Sequence, residues 1–207
     1  MMKVDDSILR MVLDIFSEIA TGVCQGQQID MNFESVDEVS IAEYLEMIRL
    51  KTAVLLAGSL QIGALVGKSK QEDAEALYKF GENLGLAFQL QDDILDIYGD
   101  PDKFGKQVGG DIIANKKTFL LIKALEIAED LDSEELQYWI TIENADTNLK
   151  VNAITNLYNR LGVRQLAEHQ MNIYAQKALT ALNKVDVEEE KKMELRQFAE
   201  QLLIREN

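Results

Sequence analysis

The sequence predicts an all-α protein. One proline stands among 207 residues, apolar residues recur at steps of three and four, and no stretch alternates apolar and polar residues as a half-buried strand would. Hydrophobic residues make up 47% of the chain and charged residues 28%, the balance of a globular protein rather than a disordered one. The length suits a single helical domain spanning 1–207.

The helices follow in order. Ile8, Val12, Ile15, Ile19 and Val23 mark the inward face of a first helix, expected to end near Gly22 and Gly26. Ser40, with Glu43 three residues on, makes a capping box for the second. The run Val54–Val66 is apolar nearly all round and rich in Gly, Ala and Ser, which suits the centre of a bundle. The next helix runs from about Gln71 to Tyr98 and stops at "GDPDKFGK". "KKTFLLIKALEIAEDL" is helical, and Ser133 with Glu135 and Leu136 starts a further helix. "NADTNLKVNAITNLYNRLG" gives another, ended by Gly162, and two last helices begin at "VRQLAEHQ" and "VEEEKKME". The acids at 188–190 fit a solvated first turn that complements the helix dipole.

Composition excludes several functions. A net charge of −15 argues against nucleic acid and anionic membrane surfaces as partners. The single cysteine, Cys24, allows no intrachain disulfide and is expected as a buried thiol in a cytoplasmic protein. The single histidine, His169, excludes multi-histidine zinc sites and paired Glu-x-x-His di-iron bundles, and is expected on a helix surface. No apolar run reaches about 18 residues, so no membrane span is expected. The N-terminus "MMKVDDSILRMVLDIF" carries acids and lacks the layout of a secretory signal. Tyr138, Trp139 and Ile142 are expected in the core.

The chemistry gathers in "AFQLQDDILDIYGDPDKFGK", residues 87–106. At 100° per residue, Asp92, Asp93 and Asp96 sit at about 0°, 100° and 40° around the helix, within one arc. Leu84, Phe88, Leu90, Ile94, Leu95 and Ile97 leave this helix little polar surface. Three acids there call for a cation, and Mg²⁺ takes oxygen ligands, keeps waters and shares itself with phosphate. A solvated acidic face is the other reading of the acids alone. Lys106 follows in a glycine-rich loop, Asp111 stands where it can orient a lysine or a metal-bound water, and Lys116 and Lys117 open the next helix. Acids, a flexible loop and lysines at a helix start form a layout for metal-bridged phosphate; an ordinary helix–loop–helix corner is the alternative. Upstream, Lys51 and Thr52 begin the most apolar helix, where a lysine must snorkel outward or find an anion.

These segments together resemble the trans-isoprenyl (polyprenyl) diphosphate synthases, which include farnesyl and geranylgeranyl diphosphate synthases. "GQQIDM" (26–31), "KT" (51–52), "FQLQDDILDIYGD" (88–100), "GKQVGGDI" (105–112) and "NKKT" (115–118) carry the resemblance in matching order and spacing, and it weakens beyond about residue 150. The resemblance implies an isoprenoid-synthase-type helical bundle and a Mg²⁺-dependent condensation of an allylic diphosphate with isopentenyl diphosphate. It implies Asp92, Asp93 and Asp96 as metal ligands. It implies Lys51, Lys106 and Lys116 as cations on the diphosphate, Thr52 and Asp111 in support, and Phe88 and Gln89 beside the reacting chain. Of these, Lys51, Gln89 and Lys106 are assigned to catalysis. Arg205 matches the family's basic C-terminus only weakly.

One feature of the family is not found. The first aspartate-rich motif has no match upstream of "GQQ"; "DDSILR" lacks its third acid. The resemblance therefore implies a chain beginning about a third of the way into the family's fold, weakly active or inactive alone. Apolar surface is expected along 51–67 and around Phe88, covered by homodimerisation through residues 8–50. A non-catalytic small subunit of a heteromeric synthase and a terpene cyclase are the alternative functions.

Overall fold

The computed structural model describes residues 4–100 and 108–203. Its helices are α1 (Asp6–Phe33), α2 (Ile41–Ile48), a π-helical turn (Arg49–Ala53), α3 (Val54–Val66), α4 (Gln71–Tyr98), α5 (Gly110–Ile113), α6 (Phe119–Ile127), α7 (Asp130–Thr141), α8 (Thr147–Leu161), α9 (Val163–Asn183) and α10 (Glu189–Leu203). Among the described residues there is no strand. The chain divides into two compact units. The first takes residues 1–32, 45–89 and 171–205, and the second takes 33–44, 90–170 and 206–207.

In the first unit, α1 does not stop at its glycines. It continues to Phe33, with Gly22 and Gly26 buried on its inner face. A Cβ on Gly26 would lie 2.7 Å from the Lys51 Cα and closer still to the Lys51 amide nitrogen. The glycine is therefore a point of backbone approach, which outweighs its low helix propensity. Gly81 and Gly85 of α4 meet Ala57 and Ala53 in the same manner. A second cluster packs Phe80 and Leu84 of α4 against Ala178 and Leu182 of α9 and Ala199 of α10.

Helix α3 was expected both to pack at the centre of a bundle and to leave apolar surface exposed along 51–67. Ala53, Val54, Ala57 and Leu65 are within the core, yet Leu55 is 54% exposed and Gly63 faces open space. The helical stretch Ile41–Val66 has the length and apolar composition of a membrane span. The same stretch buries Tyr44, Met47, Ile48, Ala53, Val54 and Ala57 in protein packing.

The second unit is organised on α8, against which α5, α6 and α7 pack. Ile154, Leu157 and Tyr158 of α8 are buried, as are Leu120 of α6 and Leu136 of α7. Asp146 caps α8 by accepting from the Asn148 and Leu149 amides, and Gly162 ends it at φ +70°. The capping box at the start of α2 forms as expected, with Ser40 Oγ accepting from the Glu43 amide and Glu43 Oε2 accepting from the Ser40 amide. Helix α7 begins earlier than Ser133, at Asp130.

Three side-chain expectations change. Cys24 is exposed on the outer side of α1, because the glycines and not the cysteine take the packed face. Tyr138 is 55% exposed and Trp139 half-buried; the two stack edge to face at 5.3 Å instead of entering the core. His169 is exposed on α9, as expected.

Gly26→Ala should destabilise the chain by about 1–3 kcal/mol through overpacking. Gly63→Ala, in open space, should stabilise it by about 0.5–1 kcal/mol. Urea unfolding midpoints check both, and equal shifts for the two variants would refute the close approach at Gly26.

Candidate functional site

In the first unit, the π-helical turn carries Lys51 and Thr52. Its defining bond runs from the Val54 amide to the Arg49 carbonyl, and such turns insert one extra residue that re-aims side chains. Gly22, Gly26 and Asp30 lie at steps of four along α1, nearly in line on one face. The glycines bring the backbones together, and one turn later Asp30 Oδ2 accepts from Lys51 Nζ at 2.6 Å. Of the two fates open to Lys51, the structure shows the anion. Their side chains are 33% and 20% exposed, and a pair so placed contributes at most about 1 kcal/mol to stability. Its weight is in fixing where the ammonium stands. Thr52 Oγ1 lies 3.4 Å from Gln89 Oε1 on α4, a long donor–acceptor contact. Phe88 is half-buried.

A cavity of this unit holds about 1050 Å³ and is lined by Ile19, Leu50, Val54, Ala76 and Ala181, with Arg49 and Glu72 among its charged groups. Among the described residues, none of the site residues read from the sequence lines it.

In the second unit, the three acids of α4 have three different surroundings. Asp92 is exposed. Asp93 is 3% exposed, and its Oδ2 accepts from the Tyr44 hydroxyl at 2.5 Å and from the Phe119 amide at 3.3 Å. Asp96 is half-buried; its Oδ2 accepts from the Asp111 amide at 2.9 Å, and its backbone carbonyl accepts from the Gly109 amide. Gly109 makes this turn at φ +82°, a left-handed conformation in which a side chain would also strike Val151. The turn folds the start of α5 back onto α4 and brings Asp111 to Asp96.

Asp111 in turn faces Lys116, whose Nζ is 3.4 Å from Oδ1. Burial pushes the Asp111 carboxyl above the usual carboxylate range; Lys116 opposes this, while Asp96 and Asp92 add to it. Asp92, Asp96 and Asp111 thus share one negative field. Burial, followed by the Asp93 charge, holds the Tyr44 hydroxyl far above its ordinary value, so it remains a donor. Lys117 donates to the Phe33 carbonyl at the end of α1, as a cation at a helix C-terminus should. Asn115, left-handed at φ +49°, is pinned from both ends of its amide: Oδ1 accepts from Lys150 Nζ and Nδ2 donates to the Ile140 carbonyl.

Among the described residues no three acidic, histidine or cysteine side chains converge into a metal cage. The donors present are carboxylate oxygens, which suit a hard divalent cation. Mg²⁺ in particular is held by one or two carboxylates together with substrate phosphate and water, not by an all-protein cage. Asp92 and Asp96 fit that mode. Asp93 does not present its carboxylate in the same way. Lys106 and Arg205 lie outside the described residues. Asp30 and Tyr44 were given no role from the sequence. The line of Gly22, Gly26 and Asp30 was a legible signal for the first, whereas Tyr44 meets a partner 49 positions away, which no local pattern reveals.

The polyprenyl synthetase family profile matches residues 1–158. A short chain isoprenyl diphosphate synthase of Methanothermobacter thermautotrophicus is 36% identical over 163 residues, covering 79% of this chain and 49% of that protein. A crystal structure of geranylgeranyl pyrophosphate synthase matches with a TM-score of 0.91 and 38% identity, over 98% of this chain and 63% of that one. A geranylgeranyl pyrophosphate synthase from Corynebacterium glutamicum, complexed with isoprenyl diphosphate and magnesium, matches with a TM-score of 0.87 and 26% identity, over 98% of this chain and 57% of that one. The chain spans about half the length of the curated relatives it matches. The all-α fold is that of these synthases, and with three quarters of its length inside the profile the chain belongs to the polyprenyl synthetase family.

Proposed function

We propose that this chain is part of a prenyltransferase that joins an allylic diphosphate to isopentenyl diphosphate in isoprenoid biosynthesis. The observation that carries the reading is the group Asp92, Asp96 and Asp111 beside Lys116 at the end of α4. The relatives' names, and the magnesium and isoprenyl diphosphate bound to one structural neighbour, support it.

The reaction separates charge. A diphosphate leaves an allylic carbon, the double bond of isopentenyl diphosphate attacks that carbon, and a proton is lost, with the departed diphosphate as its acceptor. Mg²⁺, when bound, supplies positive charge against the leaving diphosphate. Asp92 and Asp96 supply the oxygens that hold it. Lys116, steadied by Asp111, adds a cation on the same side of the second unit. Lys51, held by Asp30, is assigned to the allylic diphosphate with Thr52 and Lys106, and Phe88 and Gln89 to the reacting chain, on the order of the motifs along the sequence. No side-chain nucleophile is required.

The remaining assignments belong to the same proposal. One helical domain over 1–207 is supported by the interleaving of the two units' segments along the chain. A cytoplasmic location follows from the single, unpaired cysteine. A homodimer is supported by the outer face of α1. Leu9, Leu13, Phe16 and Met31, between 40% and 60% exposed, fall with Cys24 within one narrow arc of the helix, about 120° from its buried stripe. An apolar stripe of that length is ordinarily covered, and α1 of a second copy is the occupant proposed.

Calorimetric titration of geranyl diphosphate tests the site. Binding that requires Mg²⁺, and that falls at least about tenfold in Asp92→Ala, is expected; binding indifferent to both would refute the assignment. Labelled isopentenyl diphosphate separates the activities: an extended product supports elongation, and a product formed without it supports a cyclase. Sedimentation should give a dimer that Phe16→Asp converts to monomer, and a wild-type monomer at micromolar concentration would exclude the α1 interface.

A further inference from the structure

We propose that Tyr44 is a positioning residue of the metal–diphosphate site, acting through Asp93, and that Asp93 braces the site instead of ligating the metal. The inference rests on the reading above and deepens it.

Three elements of the second unit meet on one carboxylate oxygen. Tyr44 reaches it from α2, Asp93 carries it on α4, and the Phe119 amide approaches it from the first residue of α6. All three residues are buried, at 2%, 3% and 4% exposure. The Tyr44 and Phe119 rings also pack edge to face at 6.4 Å. Helix α6 begins after Thr118, whose side chain makes no capping hydrogen bond. Asp93 supplies the missing acceptor, and its negative charge stands at the positive end of that helix. A buried carboxylate so engaged has its donors chosen already, and exposing it to a cation would leave a buried hydroxyl and a buried amide unsatisfied.

The brace stands between the groups that matter. Asp92 precedes Asp93 directly, and Asp96 lies one turn beyond it on α4. Lys116 and Lys117 stand three and two residues before Phe119, which Asp93 anchors. Both lysines are tied at their own ends, to Asp111 and to the Phe33 carbonyl. The spacing between the carboxylates of α4 and the lysines before α6 therefore depends on the Tyr44–Asp93–Phe119 junction. Tyr44 is placed for this by the capped start of α2, since Ser40 fixes the first turn and the Ser40 carbonyl accepts from the Tyr44 amide.

The test uses inorganic pyrophosphate with Mg²⁺, titrated calorimetrically into the full chain, with circular dichroism confirming the fold of each variant. Tyr44→Phe keeps the ring and removes only the donor. It should weaken Mg²⁺-pyrophosphate binding at least fivefold at saturating Mg²⁺. The loss should vanish when Asp92 is already alanine, because a residue that acts through the site's geometry is coupled to it. A loss of the same size in both backgrounds would mean a general structural role and would overturn the proposal, as would binding within twofold of wild type. If Tyr44→Phe does not fold, Asp93→Asn is carried through the same cycle with the same criteria. A wild-type chain that fails to bind Mg²⁺-pyrophosphate would refute the metal–diphosphate reading itself, a result distinct from an unaffected Tyr44→Phe.

Discussion

The first unit depends on one close approach of backbones. Helix α1 can lie on the π-helical turn only where it has no side chain, at Gly26, and that contact sets its height and rotation together. Asp30 is one turn further along and reaches Lys51 as a consequence. The glycine and the acid of "GQQID" are thus a single device: one permits the approach, and the other uses it to hold a cation. The same logic repeats where Gly81 and Gly85 admit Ala57 and Ala53. Small residues on three helical segments leave little freedom to slide, because a shift of one residue would turn a larger side chain into each contact.

A chain with net charge −15 can receive an anion only where the local arrangement reverses the sign, and the lysines and acids of the candidate site bear on how the proposed diphosphate would be met. Within the first unit Lys51 is fixed by Asp30, and within the second Lys116 is fixed by Asp111 and Lys117 by a helix-end carbonyl. These partners orient ammonium groups without drawing them into the core. Asp92 and Asp96 crowd negative charge toward Asp111, whose carboxyl is pushed up first by burial and then by these two neighbours. A divalent cation held by these carboxylates would relieve that crowding of negative charge and would supply positive charge toward a phosphate. On the proposed reading, the negative residues would thus be the means of binding an anion, with the metal joining first or together with it.

Much of this was legible in the sequence. Helix α4 was read with its ends at Gln71 and Tyr98, and the caps at Ser40 and Gly162 follow from local chemistry. The reading failed where a residue's role depends on a distant neighbour. Gly22 and Gly26 look like helix breakers until Leu50 and Lys51 are brought against them. Trp139 and Cys24 look like core residues by type, but the faces of α7 and α1 that pack are those of Leu136 and of the glycines. The acids, lysines and glycines of the candidate site could be named from their order. Their division of tasks could not, because Tyr44, Asp93 and Phe119 are remote in sequence and meet only in the fold.

The "DDxxD" string shows why a motif is not a ligand list. On an α-helix, adjacent residues diverge by 100°, while residues four apart diverge by only 40°. Asp92 and Asp96 can therefore face one cation from neighbouring turns, but Asp93 cannot join Asp92 on the same line of sight. On a helix packed along its apolar side, the second acid of a neighbouring pair must turn toward the protein, where a carboxylate survives only if donors meet it. The Tyr44 hydroxyl and the Phe119 amide are those donors. The doubled aspartate is in this sense two residues turned about 100° apart around the helix. Asp92 is exposed, and Asp93 faces inward, where it ties α4 to Tyr44 of α2 and Phe119 of α6.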